Sequence, residues 1–344
     1  MDKDNKQNKI EKKEKKYSPI DSVLMFFLVL IVPYVFALPI YSMADEQTKM
    51  VLGYIIPQVA IIVSFILLSV YRKVNIKKAN QINFKLNIWI VLVVLIIGVI
   101  SIFGFSPLIS LFDQIVASWG YKSPTSELNI PTVWSLLAKM IYIALLPAIC
   151  EELAVRGIMT NGFKKYGNVI ACTFSALLFA FMHQNLQQFI YQFFMGYMMA
   201  YIVLKTGSIV YTMILHFFNN ATVLLTTYIN QKNGIAETPI DLSNFWNIFL
   251  PILFAILAVG AIIGLLVLIN ILIKKQKAKK QSECASNDEN VIVFDEQKNQ
   301  NLQQSEQLEK FFKKPMSLEK LVVIVGIISA FLIWVLAIVQ GFLI

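Results

Sequence analysis

The sequence predicts an all-α fold, a polytopic membrane helix bundle of about eight to nine transmembrane helices around a buried polar catalytic cavity. Hydrophobic residues make up 57% of the chain and charged residues only 15%, against about a quarter charged in soluble domains. The apolar runs are too long and continuous for the strands of a membrane barrel. Both histidines, His183 and His216, fall inside such runs. The pair Glu151–Glu152 sits at the end of a third run, and an alternative is that it marks a helix end among the cytosolic lipid headgroups. Ionisable side chains at membrane depth are costly and usually mark a site of chemistry or transport.

Nine apolar runs approach the length of about twenty residues that a membrane-spanning helix needs. They occupy residues 19–42, 49–71, 87–106, 133–160, 168–185, 187–204, 207–229, 247–273 and 320–343. We divide the chain into a basic cytosolic tail (1–17), N-terminal transmembrane helices (18–125), a core (130–230), a transmembrane helix (246–273), a flexible cytosolic linker (274–318) and a C-terminal transmembrane helix (319–344). A separate amphipathic helix is predicted at the outer membrane interface over residues 107–120.

The lysines predict how the chain is oriented in the cell membrane. They are concentrated in the N-terminal tail and in alternate loops, whereas the intervening loops are poor in lysine. The positive-inside rule then places the N-terminus in the cytosol and the C-terminus outside. Because the net charge of +9 is explained by these loops, we predict membrane lipid as a partner and no nucleic acid. The three cysteines form no CxxC pair and predict neither a disulfide framework nor a thiolate metal site.

Helical spacing brings particular polar side chains together. Glu152 and Arg156 are four residues apart and share a helix face, where an ion pair would partly neutralise both. Glu151 points about 100° away from them. His216 and Asn220 are also four apart and share a face. With a rise of about 1.5 Å per residue, Glu151, His183 and His216 all lie close to the middle of the bilayer, so they could meet.

These residues resemble the motifs of the CPBP family, the CAAX-protease and bacteriocin-processing intramembrane proteases, also called the Abi family. The family signatures are E-E-x-x-x-R, F-x-x-x-H and H-x-x-x-N/D on successive membrane helices. They are matched in that order by Glu151, Glu152 and Arg156, by Phe179 and His183, and by His216 and Asn220. The resemblance covers about residues 130–230.

The resemblance implies an endopeptidase that cleaves a membrane-associated or lipid-modified peptide or protein. Glu151, with His183, would activate a water molecule, and His216 and Asn220 would hold the oxyanion. Glu152 and Arg156 would be the supporting pair. Removing a proton from water and stabilising the tetrahedral oxygen are the two tasks that amide hydrolysis requires.

A zinc site stays open as an alternative to this metal-free mechanism, which we prefer. Glu151, His183 and His216 also make a two-histidine, one-carboxylate set of the kind that holds catalytic zinc, and Glu152 would then be the base. Two other functions also remain: a non-proteolytic membrane scaffold or bacteriocin immunity protein, and a proton-coupled transporter with these residues as a relay. The apparent lack of inverted repeats weighs against transport. No oligomeric state is predicted.

Overall fold

The computed structural model describes residues 15–41, 45–123, 128–235, 238–285, 311 and 316–343, and in this part of the chain it contains helices and no strand. The helices are α1 (Pro19–Tyr41), α2 (Glu46–Arg72), α3 (Ile76–Ala79), α4 (Ile88–Ser118), α5 (Val133–Tyr166), α6 (Asn168–Met182), α7 (Leu186–Thr206), α8 (Val210–Lys232), α9 (Phe245–Ala285) and α10 (Leu318–Leu343). The all-α fold class is confirmed.

Six of these helices are long and apolar enough to cross a bilayer: α1, α2, α4, α5, α9 and α10. A polytopic membrane bundle therefore fits the described residues. The count of eight to nine spans is not confirmed, because α6, α7 and α8 do not reach the same combination of length and hydropathy. α6 has only 15 residues, and α8 carries the polar side chains of His216, Asn219 and Asn220.

The loops gather on two opposite faces of the bundle. On one, which we call the lysine face, the α2–α4 connection (73–87) contacts the α7–α8 turn: the Ile209 amide donates to the Gln81 carbonyl at 3.1 Å. On the opposite face, the Leu186 amide donates to the Tyr121 hydroxyl at 3.1 Å. The α6–α7 turn, near Leu186, lies on the opposite face, and the α7–α8 turn, near Ile209, lies on the lysine face. Helix α7 therefore runs from one face to the other, and α6 and α8 run antiparallel to it.

The amphipathic helix predicted at 107–120 is wrong. Residues Ile88–Ser118 form one continuous helix with Pro107 inside it. Helix α4 packs closely on α9 just before Pro107: a Cβ atom on Gly104 of α4 would collide with Ala258 of α9. This packing supports a continuous α4 through the proline. Small residues let membrane helices approach closely, and proline is tolerated inside such helices when neighbouring helices pack against them.

Two predicted solvent segments are partly structured. Tyr17 was assigned to the cytosolic tail 1–17, yet it is buried and its hydroxyl lies 2.8 Å from Ser69 Oγ of α2. The linker predicted at 274–318 begins as helix, because α9 continues to Ala285. Residues 1–14, 286–310 and 312–315 lie outside the described part of the chain.

Candidate functional site

The two adjacent glutamates lie between two widened, π-helical segments of α5. A regular α-helical stretch, Leu146–Glu152, holds Glu151 and Glu152, and it is flanked by the π segments Met140–Leu145 and Leu153–Thr160. A π segment displaces the normal i to i+4 hydrogen bonds and is often found at functional sites. Sequence periodicity predicted a helix here but gave no sign of either π segment.

Side-chain amides reinforce both π segments. Asn220 Nδ2 donates to the Ile143 carbonyl in the first segment at 3.2 Å. Asn161 Nδ2 lies 3.1 Å from the Arg156 carbonyl and 2.9 Å from the Gly157 carbonyl in the second. A carbonyl oxygen has two lone pairs, so such donors can add to its backbone hydrogen bond.

Three polar residues at the centre of α5 are deeply buried. Glu152 and Arg156 are both 0% exposed, and Glu151 is 8% exposed. An alternative reading of the sequence placed Glu151 and Glu152 at a helix end among lipid headgroups. That reading is wrong, because α5 continues to Tyr166.

His216 of α8 joins the two glutamates. Its Nδ1 lies 3.0 Å from Glu152 Oε1, and its Nε2 lies 3.9 Å from Glu151 Oε2. Arg156 Nη1 donates to the same Glu152 oxygen at 2.7 Å, so the predicted ion pair is present. An ionised carboxylate can only accept hydrogen bonds. His216 therefore donates from Nδ1 to Glu152, and its Nε2 is directed toward Glu151.

Phe179 of α6 forms the wall of this cluster. The Arg156 guanidinium lies 4.5 Å from the centre of its ring, a cation–π geometry. The rings of His183 and His216 contact the same phenyl ring edge-on, at centroid distances of 4.9 and 6.2 Å. Phe179 thus links the two histidines. The F-x-x-x-H motif includes this phenylalanine, but the sequence alone did not indicate its role.

His183 is half-buried at the C-terminal end of α6. Its Nδ1 lies 2.8 Å from the Phe179 carbonyl. A carbonyl is only an acceptor, so Nδ1 carries the proton and Nε2 keeps a lone pair. His183 also interacts electrostatically with Glu151 and His216, so it belongs to the same cluster.

Gln58 of α2 is a contact that the sequence analysis missed. The side chain is 7% exposed, and its Nε2 donates to Glu151 Oε1 at 3.1 Å. The available signal was a lone amide inside a long apolar run, since polar side chains within membrane helices usually bind a neighbouring helix. Its partner, 93 residues away, could not be read from local spacing.

The two adjacent asparagines of α8 have different surroundings. Asn219 is buried and accepts a hydrogen bond from the Tyr191 hydroxyl at 2.5 Å. Its own Nδ2 donates to Asn220 Oδ1 at 3.3 Å. One N–H of Asn220 is taken up by the Ile143 carbonyl, and an amide nitrogen has a second N–H to donate.

The zinc alternative requires three metal-binding side chains close together. Among the described residues, no three His, Cys, Asp or Glu side chains are grouped closely enough to hold a metal ion. Glu152, the base in that alternative, is already engaged by Arg156 and His216. In this geometry Glu151, His183 and His216 are not grouped as a two-histidine, one-carboxylate site requires.

A comparison with protein families gives one match for this segment. Residues 133–222 match the model of the Rce1-like type II CAAX prenyl endopeptidases. The matched range runs from the start of α5 into α8 and contains every residue of the predicted site, from Glu151 to Asn220. The family resemblance predicted from the motifs is confirmed, and at the level of the family it supports a CAAX-type protease in a multi-pass membrane protein. No curated protein matches the chain.

Proposed function

We propose that the protein is an intramembrane endopeptidase that hydrolyses a peptide bond in a membrane-associated or lipid-modified substrate. The observation that carries the proposal is the contact of one imidazole, His216, with both Glu151 and Glu152 inside a bundle of membrane-length helices. These residues lie within the segment that matches the protease family. A carboxylate with adjacent imidazoles provides the base and the donors that water attack on an amide needs.

Glu151 serves as the general base in this proposal. Gln58 occupies its Oε1, which leaves Oε2 to take a proton from a water molecule. His183 Nε2 accepts a hydrogen bond from the same water and orients it. The water oxygen bonds to the scissile carbonyl carbon, and the carbonyl π electrons move to the carbonyl oxygen.

His216 and Asn220 stabilise the resulting oxyanion. Because Nδ1–H of His216 is held by Glu152, Nε2 can donate only from the imidazolium form. Asn220 adds its second amide N–H. The intermediate collapses when the C–N bond breaks and the leaving nitrogen takes the proton from Glu151, which regenerates the carboxylate.

Glu152 and Arg156 act as the supporting pair. Glu152 fixes the His216 tautomer, as a carboxylate does when it binds the second nitrogen of a catalytic imidazole. Arg156 stabilises the buried Glu152 charge, and it is itself held by the Phe179 ring and by the Gly196 carbonyl at 3.4 Å.

The test is cleavage of a quenched fluorescent membrane peptide library by purified protein, with and without a chelator. We expect Glu151→Ala to lower the rate by at least about a hundredfold, the usual contribution of a general base. We expect the chelator to leave the wild-type rate unchanged. Asp241→Asn, in an exposed loop, is the matched control and should cleave at the wild-type rate.

A Glu151→Ala variant that remains folded, by thermal unfolding in detergent, and cleaves at the full rate would contradict the proposed function. That result would favour the non-proteolytic scaffold or immunity role. Loss of wild-type activity on chelation, restored by zinc, would contradict the metal-free mechanism alone.

A further inference from the structure

A basic cavity of about 970 Å³ opens on the lysine face, separate from the proposed active site. Its lining combines residues from before α1, from the α2–α3 turn, from α3 and from the end of α5. Six of the lining residues are lysines: Lys15, Lys16, Lys73, Lys78, Lys164 and Lys165. Among the described residues, no Asp or Glu contributes to the lining.

The cavity lies at the ends of three membrane-length helices. The apolar spans of α1, α2 and α5 begin or end beside it, at Pro19, Arg72 and Tyr166. Because helices of this length match the thickness of the hydrocarbon core, their ends are expected near the headgroup level. Lysines placed there attract the anionic lipids of the adjoining leaflet. We propose that this cavity binds the phosphate headgroup of an anionic glycerophospholipid.

The charge balance of the cavity favours a bound anion. Lys16 and Lys164 are close enough to repel each other. Among the described residues, one cavity lysine is paired with a carboxylate, Lys165 with Glu319 at 2.7 Å, whereas Asp21 pairs at 3.0 Å with Arg72, which is not in the lining. Like charges gathered in a concave site raise the local potential and concentrate counter-ions. A phosphate between these lysines would remove the repulsion.

The backbone supplies an independent observation. Two cavity residues, Lys73 and Gln81, adopt left-handed conformations with φ of 52° and 54°. Non-glycine residues rarely do so, and such strain is concentrated at functional sites. Lys73 ends α2 at a position where glycine or asparagine is normally preferred. A lysine there costs backbone stability and at the same time adds a positive charge to the cavity.

Lipid binding can be measured without reference to proteolysis. The full-length protein in neutral detergent would be titrated with phosphatidylglycerol or phosphatidylcholine, and bound lipid would be counted by native mass spectrometry. The cavity variant is Lys73→Asn with Lys78→Gln. The matched control is Lys275→Gln with Lys277→Gln, which removes the same charge from exposed positions of α9.

We expect the wild-type protein to prefer phosphatidylglycerol and the cavity variant to bind it about tenfold more weakly, since each lysine near an anionic surface contributes to binding. The control should stay within about twofold of wild type. Lys73→Asn alone should keep or raise the melting temperature, because asparagine tolerates the left-handed conformation better than lysine.

Equal loss of phosphatidylglycerol binding in the cavity and control variants would overturn the proposal. It would mean that the lipid is attracted by the overall positive charge of the protein and not by the cavity. Equal binding of the two lipids, together with saturable binding of glycerol 3-phosphate, would also overturn it and assign the cavity to a soluble phosphate ester. Neither result depends on whether the protein is a protease.

Discussion

The proton on His216 determines what the two glutamates of α5 can do. With Nδ1–H directed to Glu152, the other nitrogen faces Glu151 and gains a proton only in the imidazolium form. The buried ion pair between Arg156 and Glu152 holds the tautomer in place. The two glutamates therefore differ in role because they differ in partners: Glu152 binds a cation, and Glu151 binds the neutral amide of Gln58.

Gln58→Met should lower peptide cleavage by about tenfold while leaving the protein folded. Methionine keeps the shape of the side chain but removes the amide that donates to Glu151 Oε1, and a hydrogen bond to a charged group contributes about 1.5–3 kcal/mol. The rate would be measured on the peptide cleaved by wild type. Gln192→Met, at a half-buried position of α7, is the matched control. Equal rates for wild type and Gln58→Met would show that Gln58 does not position the base.

Arg156→Met should destabilise the protein by about 3–5 kcal/mol, because it leaves the Glu152 charge buried without its cation. The double variant Glu152→Gln with Arg156→Met should be clearly more stable than Arg156→Met alone, since no uncompensated charge remains. Unfolding in detergent with increasing denaturant measures both. If the double variant were as unstable as the single one, packing of Arg156 on Phe179 would account for its contribution, and not its charge.

Motif spacing was informative for residues that share a helix and uninformative for contacts between helices. The pairing of Glu152 with Arg156 follows from a separation of four residues, and the structure contains it. The contacts of Gln58 with Glu151 and of His216 with Glu152 depend on how α2 and α8 rotate against α5. That rotation is set by side-chain packing across the whole bundle, which one sequence does not reveal.

At the scale of the element, the π segments of α5 set the direction of its polar side chains. The extra residue in a π turn changes the helical phase, so Glu151 and Glu152 face α2 and α8 in a direction that a regular helix would not give. Asn161 reinforces the second segment from its end. Its Nδ2 also reaches the Ala79 carbonyl, at 3.1 Å, which attaches α5 to α3.

Asn161→Asp should lower the free energy of unfolding by about 1–3 kcal/mol and reduce cleavage with it. Aspartate can still accept the hydrogen bond that Asn161 Oδ1 receives from Gln81 Nε2 at 3.1 Å, but it cannot donate to the three carbonyls, so these hydrogen bonds are lost. Thermal unfolding and peptide cleavage would both be measured. Asn230→Asp on α8 is the matched control, and a wild-type result for Asn161→Asp would contradict a role for this amide in holding the π segment.

Hydropathy predicted where most apolar helices lie and was less accurate at their ends. Pro107 was taken as the start of a new helix, but close packing of Gly104 on Ala258 keeps α4 continuous. Tyr17 was assigned to solvent by the lysines before it, whereas its hydroxyl binds Ser69 and accepts from Asn80 Nδ2 at 3.2 Å. In both cases a tertiary contact overrides the local composition.

At the scale of the whole molecule, most of the described lysines in loops lie together on one face, and Lys122 on the opposite face is an exception. The α2–α4 connection, the end of α5 and the start of α10 meet there, as the pair of Lys165 with Glu319 shows. The opposite face joins the end of α4 to the end of α10, where the Lys122 amide donates to the Gly341 carbonyl at 2.9 Å. The positive-inside rule predicts that the face richer in lysine is the cytosolic one.

We therefore expect the lysine face to be reached by reagents only from the cytosolic side. In a chain whose cysteines are replaced by serine, Lys77→Cys on α3 and Leu242→Cys before α9 would be treated with a membrane-impermeant maleimide. Intact cells should label Leu242→Cys alone, and inside-out vesicles should label Lys77→Cys alone. Each variant is the control for the other, since both positions are exposed. Labelling of Lys77→Cys from outside would reverse the predicted orientation, and it would place the basic cavity on the outer leaflet.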